Sequence, residues 1–187
     1  MKKSALIILA DGFEEIEAVT PIDILRRAGI DVMIAGLNNK ENFVTGSHGI
    51  AIKTDIALES AGSDFDACIL PGGTPGSPNL AKSDLVSSFL TIMNREKKLI
   101  AAICAAPALV LAPAGILDRK KATCFPGMED SFNESTVFVE EAVVIDSNVI
   151  TSRGAGTAIQ FALAIIAKLL NKETSDSIKE KIAGFYL

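Results

Sequence analysis

Cys104 is the residue whose setting in the sequence points most clearly to chemistry. It follows the apolar run Leu99–Ile103 and precedes a stretch of small residues that starts at Ala105. This pattern predicts a buried strand that turns sharply into a helix, which is the arrangement of a nucleophile elbow. The free N–H groups and the dipole at the start of such a helix favour the thiolate, so we expect the pKa of Cys104 to be lowered.

The other two cysteines have settings that favour a structural role. Cys68 lies within the apolar run Ala67–Leu70, where a free cysteine packs as a small hydrophobic residue. Cys124 could act as a resolving partner for an oxidised Cys104, but burial beside Phe125 is the interpretation that we favour. Cys104 differs from both because it lies at a strand end, where open α/β sheets bind their ligands.

Glu17 is the acidic residue best suited to act together with this thiol. The sequence predicts a helix over about residues 14–27, which begins at the sheet edge that also carries the thiol. Pro21 cannot donate a hydrogen bond to the carbonyl of Glu17, so we expect a distortion that turns Glu17 inward and leaves its carboxyl group largely protonated. For Glu14 and Glu15 we expect a solvated helix start, since carboxylates in a first turn complement the helix dipole.

Alternating strand-like and helix-like runs place these residues in an α/β fold. The expected strands cover residues 4–10, 31–37, 67–70, 99–103, 142–145 and 149–152, and the expected helices cover residues 14–27, 84–97 and 157–170. Residues 43–52 hold two glycines among alternating residues, which predicts a small hairpin or flap. We therefore expect one domain over residues 1–187, with a doubly wound, mostly parallel sheet and helices on both of its faces.

Composition and charge exclude several classes of function. The 187-residue chain has a net charge of −5 and a pI near 5.0, and its basic residues form no stripe, so we expect no binding to nucleic acid. The apolar run at residues 4–10 ends at a turn, and no small-residue cleavage site follows it. We therefore expect a cytoplasmic protein that does not enter a membrane.

The sequence also predicts that the protein works without a metal or an organic cofactor. Its three cysteines lack Cys-x-x-Cys spacing, and their odd number argues against a disulfide framework. Gly154 and Gly156 open a helix after a strand, but Ile159 stands where a dinucleotide-binding motif needs its third glycine. We therefore expect no nicotinamide site.

Four blocks of sequence, in order and spread over nearly the whole chain, resemble the ThiJ/PfpI superfamily. They are DGFEEIE at residues 11–17, LPGG at residues 70–73, AAICAAP at residues 101–107 and TSRGAGT at residues 151–157. The branch that they resemble is that of the parkinsonism-associated protein deglycase and its bacterial relatives. This resemblance implies a flavodoxin-like fold that forms homodimers.

The resemblance also implies roles for individual residues. Cys104 takes the place of the family's reactive cysteine, which oxidises readily to sulfinate, and Glu17 takes the place of the glutamate that hydrogen-bonds it. Gly73 and Ala105 fall where backbone N–H groups of the family form an oxyanion pocket, with Gly72 beside them. These backbone groups are therefore expected to bind the substrate.

Other positions match the family less closely. Arg153 matches an arginine near the pocket, with a surface helix-cap charge as the alternative. Ala105 stands where the protease-like branch has a histidine, so we expect no peptidase activity by a Cys-His route. Phe125 replaces a histidine that is frequent in the deglycase branch. The one histidine of the chain, His48, could complete a triad with Cys104 only by reaching the site from the flap or from a partner chain, and we expect a solvent-exposed loop histidine instead.

The expected function is that of a cofactor-free enzyme acting on small electrophilic carbonyl compounds. By resemblance, the chemistry is that of a glyoxalase or deglycase, in which Cys104 adds to an α-oxoaldehyde such as methylglyoxal, or to its protein adducts, and Glu17 moves protons toward a lactate product. The alternative is a redox sensor or redox-responsive chaperone with little turnover. In that case oxidation of Cys104 would change dimer formation or client binding.

Overall fold

The computed structural model describes residues 2–37 and 42–183. Residue 1, residues 38–41 and residues 184–187 of the expected domain lie outside the described residues. The strands are β1 (Ser4–Leu9), β2 (Asp31–Gly36), β3 (Phe43–Thr45), β4 (Ala51–Lys53), β5 (Ile56–Ala57), β6 (Ala67–Leu70), β7 (Leu99–Ile103), β8 (Lys121–Ala122), β9 (Val137–Phe138), β10 (Val143–Asp146) and β11 (Val149–Ser152). The helices are α1 (Glu15–Arg27), α2 (Gly76–Ala81), α3 (Asp84–Arg95), α4 (Ala158–Leu169) and α5 (Lys172–Lys181).

A seven-stranded sheet forms the centre of the molecule, in the order β10-β11-β7-β6-β1-β2-β5. Neighbouring strands are parallel except for the hairpin pair β10 and β11. The chain moves outward from β1 to β2 in one direction and from β6 to β7 in the other, so the strand order reverses between β1 and β6. The predicted doubly wound, mostly parallel sheet is confirmed.

Both faces of the sheet are covered, which explains why its central strands are continuous apolar runs. Alternate residues of β1 enter two different cores. Ile7 packs with residues of α1, α4 and α5, while Ile8 packs with residues of α2 and α3. Cys68 is fully buried in the second of these cores, so the structural role predicted for it is confirmed. No helix among the described residues is long and apolar enough to cross a membrane.

The predicted flap is confirmed as an antiparallel pair, β3 and β4, that stands apart from the central sheet. Two backbone hydrogen bonds attach it to the loop that follows β1. The N–H group of Gly12 donates to the carbonyl of Thr45 at 2.8 Å, and the N–H group of Ser47 donates to the carbonyl of Phe13 at 2.8 Å. The flap is therefore held against the start of α1.

One expectation about the helices is wrong. The segment after Cys104 is a five-residue π-helical turn, Pro107–Leu111, rather than a regular helix. Its closing bond runs from the N–H group of Ala112 to the carbonyl of Pro107, five residues back. α1 continues through Pro21, one turn after Glu17, so this proline does not end the helix.

Candidate active site

Cys104 lies at the carboxyl end of β7 in a strained backbone conformation. Its φ angle of +65° falls in the left-handed region, which is uncommon for residues other than glycine. Hydrogen bonds on both sides hold this conformation, since the Cys104 N–H group donates to the carbonyl of Ser152 at 2.9 Å and its carbonyl accepts from the N–H group of Phe125 at 2.8 Å. The strand end and the strained turn together form the predicted nucleophile elbow.

Glu17 brings a buried carboxyl group to this thiol. Its position at the start of α1 puts it one turn before Pro21 and two before Ile24, on the face that packs against the sheet. The side chain is only 1% exposed, its Oε2 accepts from the N–H group of Gly72 at 2.8 Å, and the carboxyl group hydrogen-bonds the Cys104 side chain. Its Oε1 has no hydrogen-bond partner among the described residues. The buried face of α1 therefore carries Glu17 toward the thiol, and the effect of Pro21 on its orientation stays a prediction.

Two glycines after β6 let the carboxyl group and the thiol approach each other. A Cβ atom on Gly72 would lie 2.7 Å from both the Cys104 Cβ and the Glu17 Oε2. Gly73 has a φ angle of +100°, and a Cβ atom there would lie 2.4 Å from the carbonyl oxygen of Gly12. The site needs glycine at both positions, at the first for space and at the second also for its backbone conformation.

The backbone N–H groups of Gly73 and Ala105 interact with the Cys104 sulfur and lower the pKa of its thiol. The two amides that the resemblance assigns to an oxyanion pocket are therefore close to the sulfur. A negative oxygen formed on a carbon bonded to that sulfur would lie within their reach. Their role in binding substrate stays a prediction.

The expected lowering of the Cys104 pKa is wrong, because burial and the Glu17 charge outweigh the two N–H groups. Together they raise the pKa of the thiol to about 12. Burial also raises the pKa of Glu17 to about 7, against the opposing hydrogen bonds from Cys104 and Gly72. Since each negative charge opposes the other, the pair retains at least one proton near neutral pH.

Glu15 differs from the expected solvated helix start, because the flap buries it. Its Oε1 accepts from the N–H group of His48 at 2.7 Å, and its Oε2 lies 2.9 Å from the His48 Nδ1. Burial pushes the Glu15 pKa upward, but the hydrogen bonds from His48 and from the N–H group of Ile50 outweigh it and lower the pKa to about 2. Sequence reasoning missed this contact because its two sides lie more than 30 residues apart.

The His48 ring is 71% exposed, as expected for a loop histidine, and pairs with the start of α1 in its own chain. Hydrogen bonding to Glu15 and the nearby Glu14 charge raise the pKa of His48. The ligand atoms of Glu14, Glu15 and His48 lie within 4.8 Å of one another and could hold a metal ion. In the structure, the backbone and the ring of His48 both hydrogen-bond the Glu15 carboxyl group.

Arg153 and Cys124 lie close enough for the arginine charge to act on the thiol. The Arg153 Nη2 is 3.7 Å from the Glu140 Oε1, and its Nη1 is buried without a hydrogen-bond partner among the described residues. Burial raises the pKa of Cys124 to about 11, and the Arg153 charge slightly offsets this rise. Cys124 itself is fully buried, as the favoured interpretation predicts. Substrate binding by Arg153 stays a prediction.

Comparisons with known proteins agree with this geometry. A sequence model of the DJ-1/PfpI family matches residues 3–168. The chain is 43% identical over 188 residues to protein dj-1beta of Drosophila melanogaster, and the match covers 100% of both chains. It is 37% identical over 180 residues to glutathione-independent glyoxalase DJR-1.2 of Caenorhabditis elegans, with 95% of this chain and 94% of that protein covered. The solved structure of oxidized Toxoplasma gondii DJ-1 superposes with a TM-score of 0.92 at 36% identity, covering 97% of this chain and 98% of that one.

Proposed function

The chain belongs to the DJ-1/PfpI family, and from its site we propose that it is a cofactor-free, cysteine-dependent enzyme of the glyoxalase or deglycase type. Its substrates would be α-oxoaldehydes such as methylglyoxal, or the adducts that they form on proteins. The observation that carries the proposal is the contact between a buried Glu17 and the Cys104 thiol on a strained elbow, with two backbone N–H groups beside the sulfur. The name of the glyoxalase relative supports the same reaction class.

The first step is the addition of the thiol to the aldehyde. The Glu17 carboxylate takes the thiol proton as the Cys104 sulfur bonds to the aldehyde carbon, and the resulting oxyanion accepts hydrogen bonds from the Gly73 and Ala105 N–H groups. Glu17 then returns the proton to that oxygen, which gives a hemithioacetal. A carboxyl group with a pKa of about 7 suits both directions of this transfer near neutral pH.

The second stage converts the hemithioacetal into lactate. One proton moves from the former aldehyde carbon to the ketone carbon and one moves from the first oxygen to the second, so the first carbon is oxidised while the second is reduced. The product is a thioester of lactate, and water cleaves its carbon–sulfur bond to release lactate and the free thiol. The sum is the addition of one water to methylglyoxal, so the reaction needs no external oxidant or reductant.

The test is the conversion of methylglyoxal to lactate by the purified protein. We expect Cys104→Ser to lose more than about 10³-fold of the turnover, as enzymes that lose a covalent nucleophile do. Cys124→Ser removes a buried thiol elsewhere and serves as the matched control, with turnover close to that of the wild-type protein. If the wild-type protein releases no lactate, or if Cys104→Ser is as active as wild type, the proposed function is wrong.

The alternative, a redox sensor, is supported by the different exposure of the three thiols. Cys104 is partly exposed, whereas Cys68 and Cys124 are fully buried. We expect mild peroxide to form sulfinate first at Cys104, because the oxidant can reach it. Mass spectrometry locates the modified residue, and earlier oxidation of either buried thiol would contradict this expectation. A sensor would show this oxidation together with a change in assembly and little turnover of methylglyoxal.

We also propose that the protein is a homodimer that acts in the cytoplasm. Three apolar side chains at the start of α1 and in the flap are exposed, namely Ile16, Val19 and Ile50. Exposed apolar residues close together are typical of a protein–protein interface. The proposed location has a separate basis, because the three free cysteines fit a reducing compartment such as the cytoplasm.

The proposed dimer interface is tested by substitution. Val19→Glu should yield monomers in light scattering, whereas Ile145→Glu, at an exposed position of the edge strand β10, should not. A dimer that survives Val19→Glu unchanged would contradict this interface.

A further inference from the structure

Phe125 places an aromatic ring at the edge of the thiol site. The side chain is 48% exposed, although large apolar side chains are usually buried. Its backbone is fixed on both sides, because its N–H group donates to the Cys104 carbonyl at 2.8 Å and its carbonyl accepts from the N–H group of Met128 at 3.1 Å. The hydrogen bond that holds the elbow therefore also holds the ring beside it.

At Gly154, a gap in which a Cβ atom would make only ordinary contacts separates this ring from the buried carboxyl group. A Cβ atom on Gly154 would lie 3.5 Å from the Phe125 Cδ2 and 4.0 Å from the Glu17 Oε1. The backbone of Gly154 is extended, with φ at 165°, so its conformation does not demand glycine. The missing side chain leaves room bordered on one side by an apolar ring and on the other by the Glu17 carboxyl group.

We propose that Phe125 is a specificity-determining residue, and that the site favours α-oxoaldehydes whose substituent is flat and apolar, such as an aryl group. This inference rests on the proposed function, in which Cys104 adds to the aldehyde. An aryl substituent in the space at Gly154 would pack against the Phe125 ring while its polar oxygens face Glu17 and the backbone amides. A methyl substituent is too small to cover the ring, so it gains little from this contact.

The first arm of the test compares the turnover of phenylglyoxal and methylglyoxal. We expect Phe125→Ala to lower kcat/KM for phenylglyoxal relative to that for methylglyoxal by roughly threefold to tenfold, which is the range of a single aromatic contact. Phe125→Leu keeps an apolar side chain without a flat face, so its ratio of the two kcat/KM values should fall between that of the wild-type protein and that of Phe125→Ala. Phe43→Ala removes another exposed ring, on the flap, and should leave the ratio unchanged.

The second arm needs no turnover. Cys104 is alkylated with N-phenylmaleimide and with N-methylmaleimide, and the ratio of the two rates is divided by the same ratio for glutathione. Cys104→Ser gives the background from the two buried thiols. We expect Phe125→Ala to lower the corrected phenyl-to-methyl ratio by a similar factor, because the ring and not the reaction sets this preference.

The two arms separate failure of the inference from failure of the proposed function. If both oxoaldehydes are turned over but neither ratio changes in Phe125→Ala, the inference is wrong and the proposed function stands. If neither oxoaldehyde is turned over while the maleimide ratio still falls, the proposed reaction is wrong and the ring remains an apolar recognition surface beside Cys104.

Discussion

Glu15 and Glu17 lie two residues apart at the start of α1, and both are at least 95% buried, yet their pKa values move in opposite directions. The pKa of Glu15 is lowered to about 2, and that of Glu17 is raised to about 7. Burial pushes both values upward, since it removes water from the charged form. The difference arises from the balance between burial and hydrogen bonds. The flap surrounds Glu15 with donors from His48 and Ile50 that outweigh its burial, whereas the deeper burial of Glu17 outweighs its hydrogen bonds from Cys104, Gly72 and Ala155.

The first turn of α1 therefore carries a structural carboxylate, Glu15, and a reactive carboxyl group, Glu17. Glu15 is fixed in its charged form, and it holds the flap against α1. Glu17 has a pKa near neutrality and contacts a thiol, so it can accept and return a proton. A perturbed pKa is therefore a sign of reactivity at Glu17, where the carboxyl group also contacts a nucleophilic side chain, and not at Glu15, where it does not.

Replacing Glu17 by Gln tests the reactive member of the pair and should have the largest effect. We expect methylglyoxal turnover to fall by about 10²–10⁴-fold, the usual loss for a general acid–base group. In the wild-type protein the rate of Cys104 alkylation should rise with pH through about 7, as Glu17 loses its proton and becomes a base. The variant should lack this step and react only at more alkaline pH. Stopped-flow alkylation measures both profiles, and two identical profiles would show that the groups are not coupled.

Replacing Glu15 by Gln tests the structural member. We expect a loss of about 1–3 kcal/mol in the free energy of unfolding at neutral pH, because the variant leaves His48 without its charged partner and weakens the buried hydrogen bonds. Glu15 has a folded pKa below its ordinary value of 4.5, so its contribution is present above that pH and is lost as the pH falls toward 2. Urea unfolding should therefore show the difference between the two proteins shrinking in acid.

Turnover per folded molecule should change little in Glu15→Gln. A loss of activity comparable to that of Glu17→Gln, in a protein that unfolds at the same urea concentration as wild type, would show that the two carboxyl groups form one functional unit.

Alanine substitutions at two glycines test the two carboxyl groups by crowding each of them separately. A Cβ atom on Gly46 would lie 2.3 Å from the Glu15 carboxyl oxygen, and one on Gly72 would lie 2.7 Å from the Glu17 Oε2. Each alanine variant should lose about 1–3 kcal/mol of stability through overpacking. Only Gly72→Ala should also slow alkylation of Cys104, because it separates the carboxyl group from the thiol. Gly62→Ala is the control, since nothing lies within 4 Å of its Cβ position. Equal slowing by Gly46→Ala would mean that the flap controls the thiol.

Replacing His48 by Ala should have the smallest effect on activity. The ring is largely exposed and pairs with Glu15, so we expect methylglyoxal turnover to stay within about tenfold of wild type, below the usual loss for a participating acid–base group. Light scattering checks that the state of assembly is the same in both proteins. A loss of two or more orders of magnitude with assembly unchanged would place His48 in a composite site that includes a partner chain.

Much of the fold and part of the site could be predicted from local sequence pattern. The apolar runs at β1, β6 and β7 predict buried parallel strands, and the end of β7 predicts the position of Cys104. The short helix α2 and the polar helix α5 were not predicted, because neither shows a clear apolar stripe. Glu17 could be placed at the same sheet edge as Cys104 because both follow the carboxyl ends of parallel strands.

The sequence by itself determined which chemical groups meet at the sheet edge, since the strand order of an α/β fold and the four motif blocks bring Cys104, Glu17 and Gly72 together. Only the tertiary structure decided their protonation. The pKa of a carboxyl group or thiol depends on how much water and how many donors surround it, and those neighbours come from distant segments. The flap lowers the pKa of Glu15, while burial beneath the elbow raises those of Glu17 and Cys104. Local pattern alone therefore predicted a thiolate where the folded protein holds a thiol whose pKa is raised to about 12.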